Sequence, residues 1–392
     1  MNLWKLFLIF LRFGCLAWGG PVAQINMIRE ELVDKRKWLD PEKFKRVFTL
    51  YQILPGPEAH ELCVYFGMVK AGRLGAIVAG IGFMLPGLLL MLALSYAYVS
   101  YGSTILLWFV GVTPAVSALI VRATHRISKH VLHSRSLVIA ALISVALTLI
   151  HTQFFIVFII CLAWHVLWIK NYRKCAISVV IMAFIASGYF AYFAHSVIEI
   201  TNNEPSEKYL FIEGLKGGLL TFGGAYTIIP FLHDSLLEAF PAITQQAFYD
   251  GIALSAMIPA PLVIFATYLG YLATGINGAL LITAGVFLPS FLFTLLGHKQ
   301  LTKLVENKAF HGALDGVAAA VCGLLLVTAF DIFQHSVLNG SLKNIAIFLV
   351  SLSLLYLINK KWIMPLVVVG SGLVGFILNS DETIQILFTN LI

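Results

Sequence analysis

The chain is ruled by long apolar runs separated by short polar punctuation. Leu74–Val99 reads LGAIVAGIGFMLPGLLLMLALSYAYV, with no polar face at any helical or strand period. A helix apolar all round is a lipid-embedded or deeply buried one. The runs fall at helix length, about 17–25 residues, rather than as alternating ten-residue strands. The pattern predicts an all-α polytopic membrane protein with about 13 membrane segments. Four of the runs are broken internally. The breaks are WGGP (18–21), LPGP (54–57), FGGA (222–225) and IPAP (258–261).

The breaks come in pairs. WGGP and FGGA lie 204 residues apart, as do Pro55 and Pro259, and Pro57 and Pro261. One residue is then lost, and Tyr65, Gly75, Gly82 and Pro86 match Tyr268, Gly278, Gly285 and Pro289 at 203. Glycine and proline at a constant offset are hard to match by chance. Residues 1–174 and 201–392 are therefore expected to be two transport repeats, joined by one linker helix at 175–200. An odd single crossing between even-numbered halves inverts the second. Basic residues mark cytoplasmic loops, and their bias swaps sides. Lys70, Arg73, Arg122, Arg126, Lys129 and Arg135 have no basic counterparts in 271–277 and 331–342, whereas Lys299, Lys303, Lys308, Lys360 and Lys361 do the reverse. The expectation is an inverted-topology repeat with broken or re-entrant helices. Which of the broken segments cross and which re-enter is left open by the sequence.

Composition agrees. Of the 392 residues 59% are hydrophobic and 11% charged, with mean hydropathy +0.90. Soluble domains carry roughly 25% charged residues. The net charge of +7 fits basic cytoplasmic loops facing anionic lipid rather than a nucleic-acid partner. The five cysteines are scattered without a CxxC pair, so neither a disulfide framework nor a zinc site is expected. The N-terminal run, interrupted by Arg12, reads as an uncleaved first membrane helix. Residues 29–46 read as a solvated amphipathic surface, with Asp40-Pro41 as a helix start.

Non-helical backbone survives in a membrane only inside protein or against a water-filled cavity. Symmetry-paired breaks point to a transport site at the repeat interface, and half-helix N-termini at such gaps attract anions. The candidate substrate-binding residues are Gly19, Gly20, Pro21, Pro55, Gly56 and Pro57, with Gly223, Gly224, Pro259 and Pro261 in the second copy. A plainer reading makes them packing kinks. Arg12 and its counterpart Lys216 precede the Gly-Gly breaks. Intramembrane cations usually face a bundle interior and mark a pathway; the competing reading is snorkelling. Glu58, His60 and Glu61 face Leu262, Ile264 and Phe265 in the repeat. They are candidates for proton coupling, against a reading as a solvated turn. A buried carboxyl can carry a proton, and histidine titrates near neutral pH. Asp250, Asp315 and Asp331 read as helix-end residues. His60-Glu61 begins an HExxH that fails at Val64, and no GxSxG or P-loop is present, so no enzyme is expected.

FxRFGxxxWGGPxAxIxMxRxExVxxxxWL (10–39) with LPGPEAxxLxxYxG (54–67) resembles the chromate transporter family. So do GLxGGLLTFGGAYTxIPFL and IPAPLxxFATYLGY in the second copy. The resemblance covers nearly the whole chain and implies a bacterial inner-membrane secondary transporter of the long, two-repeat type. It implies export of chromate, giving chromate resistance, with sulfate as competitor; coupling to the proton gradient is the expectation that Glu58, His60 and Glu61 add. No cofactor is implied. Protons, membrane lipids and a homodimer are the other partners expected. The departures from the family pattern are Ala225, where the proline is missing, and His60-Glu61; they bear on which oxyanion is carried. A passive anion channel, or a carrier for sulfate or another oxyanion, stands as the alternative.

Overall fold

The computed structural model describes residues 1–150, 152–194, 206–221, 225–305, 308–338, 341–358, 360 and 362–378. All regular elements among them are helical. In chain order they are α1 (Leu3–Cys15), α2 (Gly20–Ile28), α3 (Pro41–Ile53), α4 (Glu58–Val131), α5 (Arg135–Leu149), α6 (Phe154–Ile169) and α7 (Arg173–Ala194). The series continues with α8 (Glu207–Leu219), α9 (Ile228–Ala239), α10 (Gln245–Ala256), α11 (Phe265–Val305), α12 (Lys308–Phe333), α13 (Leu342–Leu357) and α14 (Ile363–Leu378). Glu58–Tyr101, Leu262–Leu296 and Gly312–Leu338 are long and apolar enough to cross a membrane, and four shorter apolar helices accompany them. Large apolar side chains face outward: Leu296 is 70% exposed, Ile185 67% and Ile159 66%. A water-soluble surface disperses such groups; a lipid-facing one is made of them.

The helices flanking LPGP run side by side, as do those flanking IPAP. Trp38, just before α3, carries the Lys70 ammonium 5.1 Å above its ring, and Phe44 stacks on Phe66 at 6.3 Å. α3 and the first arm of α4 thus go out and come back, with LPGP at the tip. Phe10 on α1 reaches Trp38 at 6.4 Å, so α1 packs against the segment that leads into α3. In the second part of the chain, the Tyr209 hydroxyl at the start of α8 donates to the Ser235 carbonyl of α9 at 3.2 Å. Gly251 on α10 packs on the Tyr268 ring of α11.

Equal geometry recurs 203–204 residues apart. α4 reverses at Ala71 (φ −147°, ψ 25°) and Gly72 (φ 63°, ψ −156°), and α11 at Thr274 (φ −144°, ψ 26°) and Gly275 (φ 71°, ψ −149°). Gly14 sits against the Phe83 carbonyl and Gly218 against that of Val286. Gly82 faces Phe7 and Leu11 as Gly285 faces Phe211 and Leu215. Glycine lets these helices meet backbone to backbone, which suits apolar surroundings where packing rather than water drives association.

Residues 29–46 form a charged rim. Lys35 pairs with Glu30 at 2.9 Å, and the Arg36 guanidinium at 2.9 Å holds the Glu31 carboxyl below its ordinary value. Leu32 and Val33 turn inward. The Asp40 carboxylate accepts from the Glu42 and Lys43 amides at 3.0 and 3.3 Å, capping α3.

Nothing lies within 4 Å of a methyl group added at Gly72 or Gly275, so substitution there meets only backbone strain. Gly72→Ala and Gly275→Ala should each cost about 1–3 kcal/mol. Thermal unfolding in detergent checks this, and the two losses should be alike.

Candidate functional site

The four tips converge. The Gly56 amide, in LPGP, donates to the Thr221 carbonyl at 2.9 Å, immediately before the FGGA stretch. The Gln24 side chain, on α2, donates to the Ala17 carbonyl at 2.8 Å and to the Ala260 carbonyl of IPAP at 3.2 Å. At the 204-residue offset Ala17 corresponds to Thr221, and Gly56 to Ala260. The same two places are therefore joined twice, once directly and once through a glutamine. Gly19 (φ 91°), Gly20 (φ 76°) and Gly56 (φ 146°) take backbone angles open chiefly to glycine. Neither α2 nor α4 has a side-chain cap at its N-terminus, leaving amide donors at the gap. Pro21, Pro57, Ala225 and Pro261 enclose a remnant of about 10 Å³ beside Glu58, room for about one water.

Above the tips opens a cavity of about 360 Å³. Its lining includes Pro21, Glu58, Arg126, His130, Tyr226 and Asp315. Arg126 and His130 are four residues apart, on one face of the last turns of α4. Arg126 acts electrostatically on Glu58. A second cavity, of about 490 Å³, is lined by Thr113, Gln246, Tyr249, His335 and Asn344. Arg126 follows Thr113 by 13 residues along α4, about 20 Å of helix. The cavities thus lie toward opposite ends of this arm, and α12 runs from Asp315 at the first toward Ser336 at the second.

The other candidates are placed as follows. Pro55 is buried in its tip and Pro259 in the matching one. Gly223 and Gly224 lie outside the described residues. Arg12 is exposed on α1, within the electrostatic reach of Glu31, and lines neither cavity. Lys216 lines neither as well; its ammonium is 2.6 Å from Glu213, which is 3% exposed. His60 turns away from the cavity, 4.9 Å from the rings of Phe287 and Phe291. Glu61 is fully buried, and neither of its carboxyl oxygens has a hydrogen-bond partner among the described residues. The Ser290 hydroxyl, also buried and unpartnered, lies with it around Gly56. Arg126 was read in the sequence only as a loop cation. Its signal was the helical spacing of Arg122, Arg126 and Lys129.

Apolar outward faces, paired breaks and a cavity at their meeting point define a membrane-embedded transport protein. The family model for chromate transporters matches residues 4–169 and 208–376, and the chain belongs to that family. It is 42% identical to a chromate transport protein of Pseudomonas aeruginosa over 388 residues, covering 96% of this chain and 93% of the relative. A chromate transport protein of Cupriavidus metallidurans is 30% identical, with 95% and 92% covered. An uncharacterized transporter of Methanocaldococcus jannaschii is also 30% identical, with 95% and 94% covered. No solved structure matches the chain.

Gln24 holds two buried carbonyls at once. Gln24→Leu leaves both without that donor and should cost roughly 1–3 kcal/mol per acceptor left unpaired. A fall in the detergent melting temperature checks it; an unchanged melting temperature removes the cross-link from the stability argument.

Proposed function

We propose that the chain is a secondary transporter that exports chromate, a doubly negative tetrahedral oxyanion, from the cytoplasm of a bacterial cell through the inner membrane. The observation that carries this reading is the cavity where the uncapped ends of α2 and α4 meet Arg126. Helix N-termini stabilise anions, and a guanidinium forms charge-assisted bonds to oxyanions. Sulfate, of the same charge and shape, is the expected competitor.

In our reading residues 1–174 and 201–392 are inverted repeats, with α7 between them as the linker. The four hairpins are re-entrant. Beyond Gly72, α4 crosses twice, since the Tyr98 and Phe109 rings meet at 5.8 Å, and full crossings then number nine rather than the thirteen expected from apolar runs. This topology puts residues 28–46, Lys70, Arg73, Arg126, Arg135, Lys170, Arg173, Lys303 and Lys360 on one face, as the positive-inside tendency asks of a cytoplasmic side. The first cavity opens to that face and the second to the other. The near-closed gap between the tips supports a carrier rather than an open pore. Leaving a negative cell interior favours a dianion by ~2.3 kcal/mol per charge per 100 mV, so export is the downhill direction electrically.

Glu58 shares the cavity with the substrate. A carboxylate and a dianion repel, and a proton on Glu58 removes that repulsion. Proton and anion binding are then linked, each favouring the other. Glu61, one turn further in, is a second place for a proton, because an isolated ionised carboxylate is costly to bury. His60, packed among rings, is assigned the weaker part in that coupling.

Everted vesicles should accumulate labelled chromate, with sulfate competing. Arg126→Ala removes a charge-assisted contact of about 1.5–3 kcal/mol and should cut uptake roughly ten-fold or more. Arg12→Ala should cut it less. Full uptake by Arg126→Ala, with protein levels equal, excludes the site. Glu58→Gln should make uptake indifferent to pH on the cytoplasmic face; a preserved pH profile excludes Glu58 as the carrier of the proton.

A further inference from the structure

The second cavity has a buried acid under its floor. Gln246 lies at the boundary: its amide nitrogen donates to the Thr113 hydroxyl at 2.9 Å and to Asp250 Oδ1 at 2.8 Å. Asp250 Oδ2 accepts from the Tyr98 hydroxyl at 2.7 Å. Asp250 itself is fully buried. No basic side chain among the described residues lies within ion-pair distance of it. From α4 it is faced by Tyr98 and Thr113, and from α11 by Tyr268, whose ring is 5.2 Å from that of Tyr98. On its own helix Gln246 and Tyr249 stand toward the cavity, and His335 lies on the cavity wall. α14 and residues 262–264, which also pack on α10, carry no ionisable side chain.

These partners are chemically particular. A backbone amide or an arginine can only donate, and so offers no acceptor to the proton of a protonated carboxyl. A glutamine amide can turn to present its oxygen, and the tyrosine and threonine hydroxyls both donate and accept. The cluster can therefore hydrogen-bond Asp250 with or without a proton. It does not suit a calcium or magnesium ion, which takes six or more oxygen ligands, because both carboxyl oxygens already accept protein donors. At the 204-residue offset Asp250 corresponds to Arg46. The acid thus belongs to one part of the chain alone, as Glu58 and Glu61 belong to the other.

We propose that Asp250 is a further proton-binding site, loaded through Gln246 from the face opposite to Glu58. This rests on the transport reading. The two acids then report to different compartments, Glu58 to the first cavity and Asp250 to the second. Tyr98 is a positioning residue for the Asp250 carboxyl.

The test is chromate exchange in right-side-out and everted vesicles, with pH varied only on the outer side. Wild-type exchange in right-side-out vesicles should change roughly five-fold or more over two pH units, the sweep of one titrating group. Asp250→Asn should flatten that profile to less than about two-fold while keeping the cytoplasmic-side profile seen in everted vesicles. Asp250→Glu and Tyr98→Phe should shift the profile without flattening it, and His335→Gln should leave it in place. The proposal is overturned if Asp250→Asn keeps the wild-type profile, if the wild type shows none on that face, or if His335→Gln flattens it instead. Loss of exchange at every pH in both Asp250→Asn and Asp250→Glu also overturns it, since the acid is then structural. Absence of chromate flux in the wild type refutes the transport reading itself, a result distinct from all of these.

Discussion

Peptide groups at a broken helix must find partners, and in an apolar slab water does not supply them. Each unsatisfied group costs several kcal/mol. The chain meets this demand by making the breaks serve one another. The Gly56 amide is satisfied by Thr221, and Ala260 by Gln24. Neither set of tips is complete alone. The two parts of the chain are thereby fixed against each other where backbone amides remain for a ligand. Glycine at 19, 20 and 56 supplies the angles, and proline at 21, 57 and 261 stops helix from growing through the gap.

On this shared frame the polar groups are unevenly placed. Most glycines and prolines of the breaks recur in both parts of the chain, but the acids do not. Glu58 and Glu61 stand opposite Leu262 and Phe265, and Asp250 opposite Arg46. The acids thus give the two parts of the chain different chemistry. Ordering follows from the same contrast: Arg126 reaches the first cavity from the end of α4, while the second cavity is lined by amides and hydroxyls without an arginine or lysine.

Much of this was legible in the residues. The prolines and glycines marked helix ends at LPGP and IPAP, and Asp40-Pro41 located the start of α3, because both depend on local backbone chemistry. Hydropathy gave the membrane class. It did not tell a re-entrant hairpin from a crossing. The Lys70 ammonium over the Trp38 ring shows that α3 and the first arm of α4 lie side by side. The cations were harder still. Arg12 and Lys216 drew notice by their symmetry, yet Arg12 faces outward, and Lys216 is engaged by Glu213, an acid with no counterpart in the first part of the chain. Arg126 sits in what reads as a basic loop but lies in the last turns of α4, well beyond its reversal at Ala71–Gly72. Its place at the cavity depends on where that long element ends, a tertiary fact that periodicity does not carry.

The most direct measurement is an electron cryo-microscopy map of the protein with chromate bound. Anion density between the first turns of α2 and α4 and the Arg126 guanidinium, with the Gly56 tip still against Thr221, is the result expected. Density for the anion elsewhere, or continuous helices through residues 54–57 and 258–261, contradicts it.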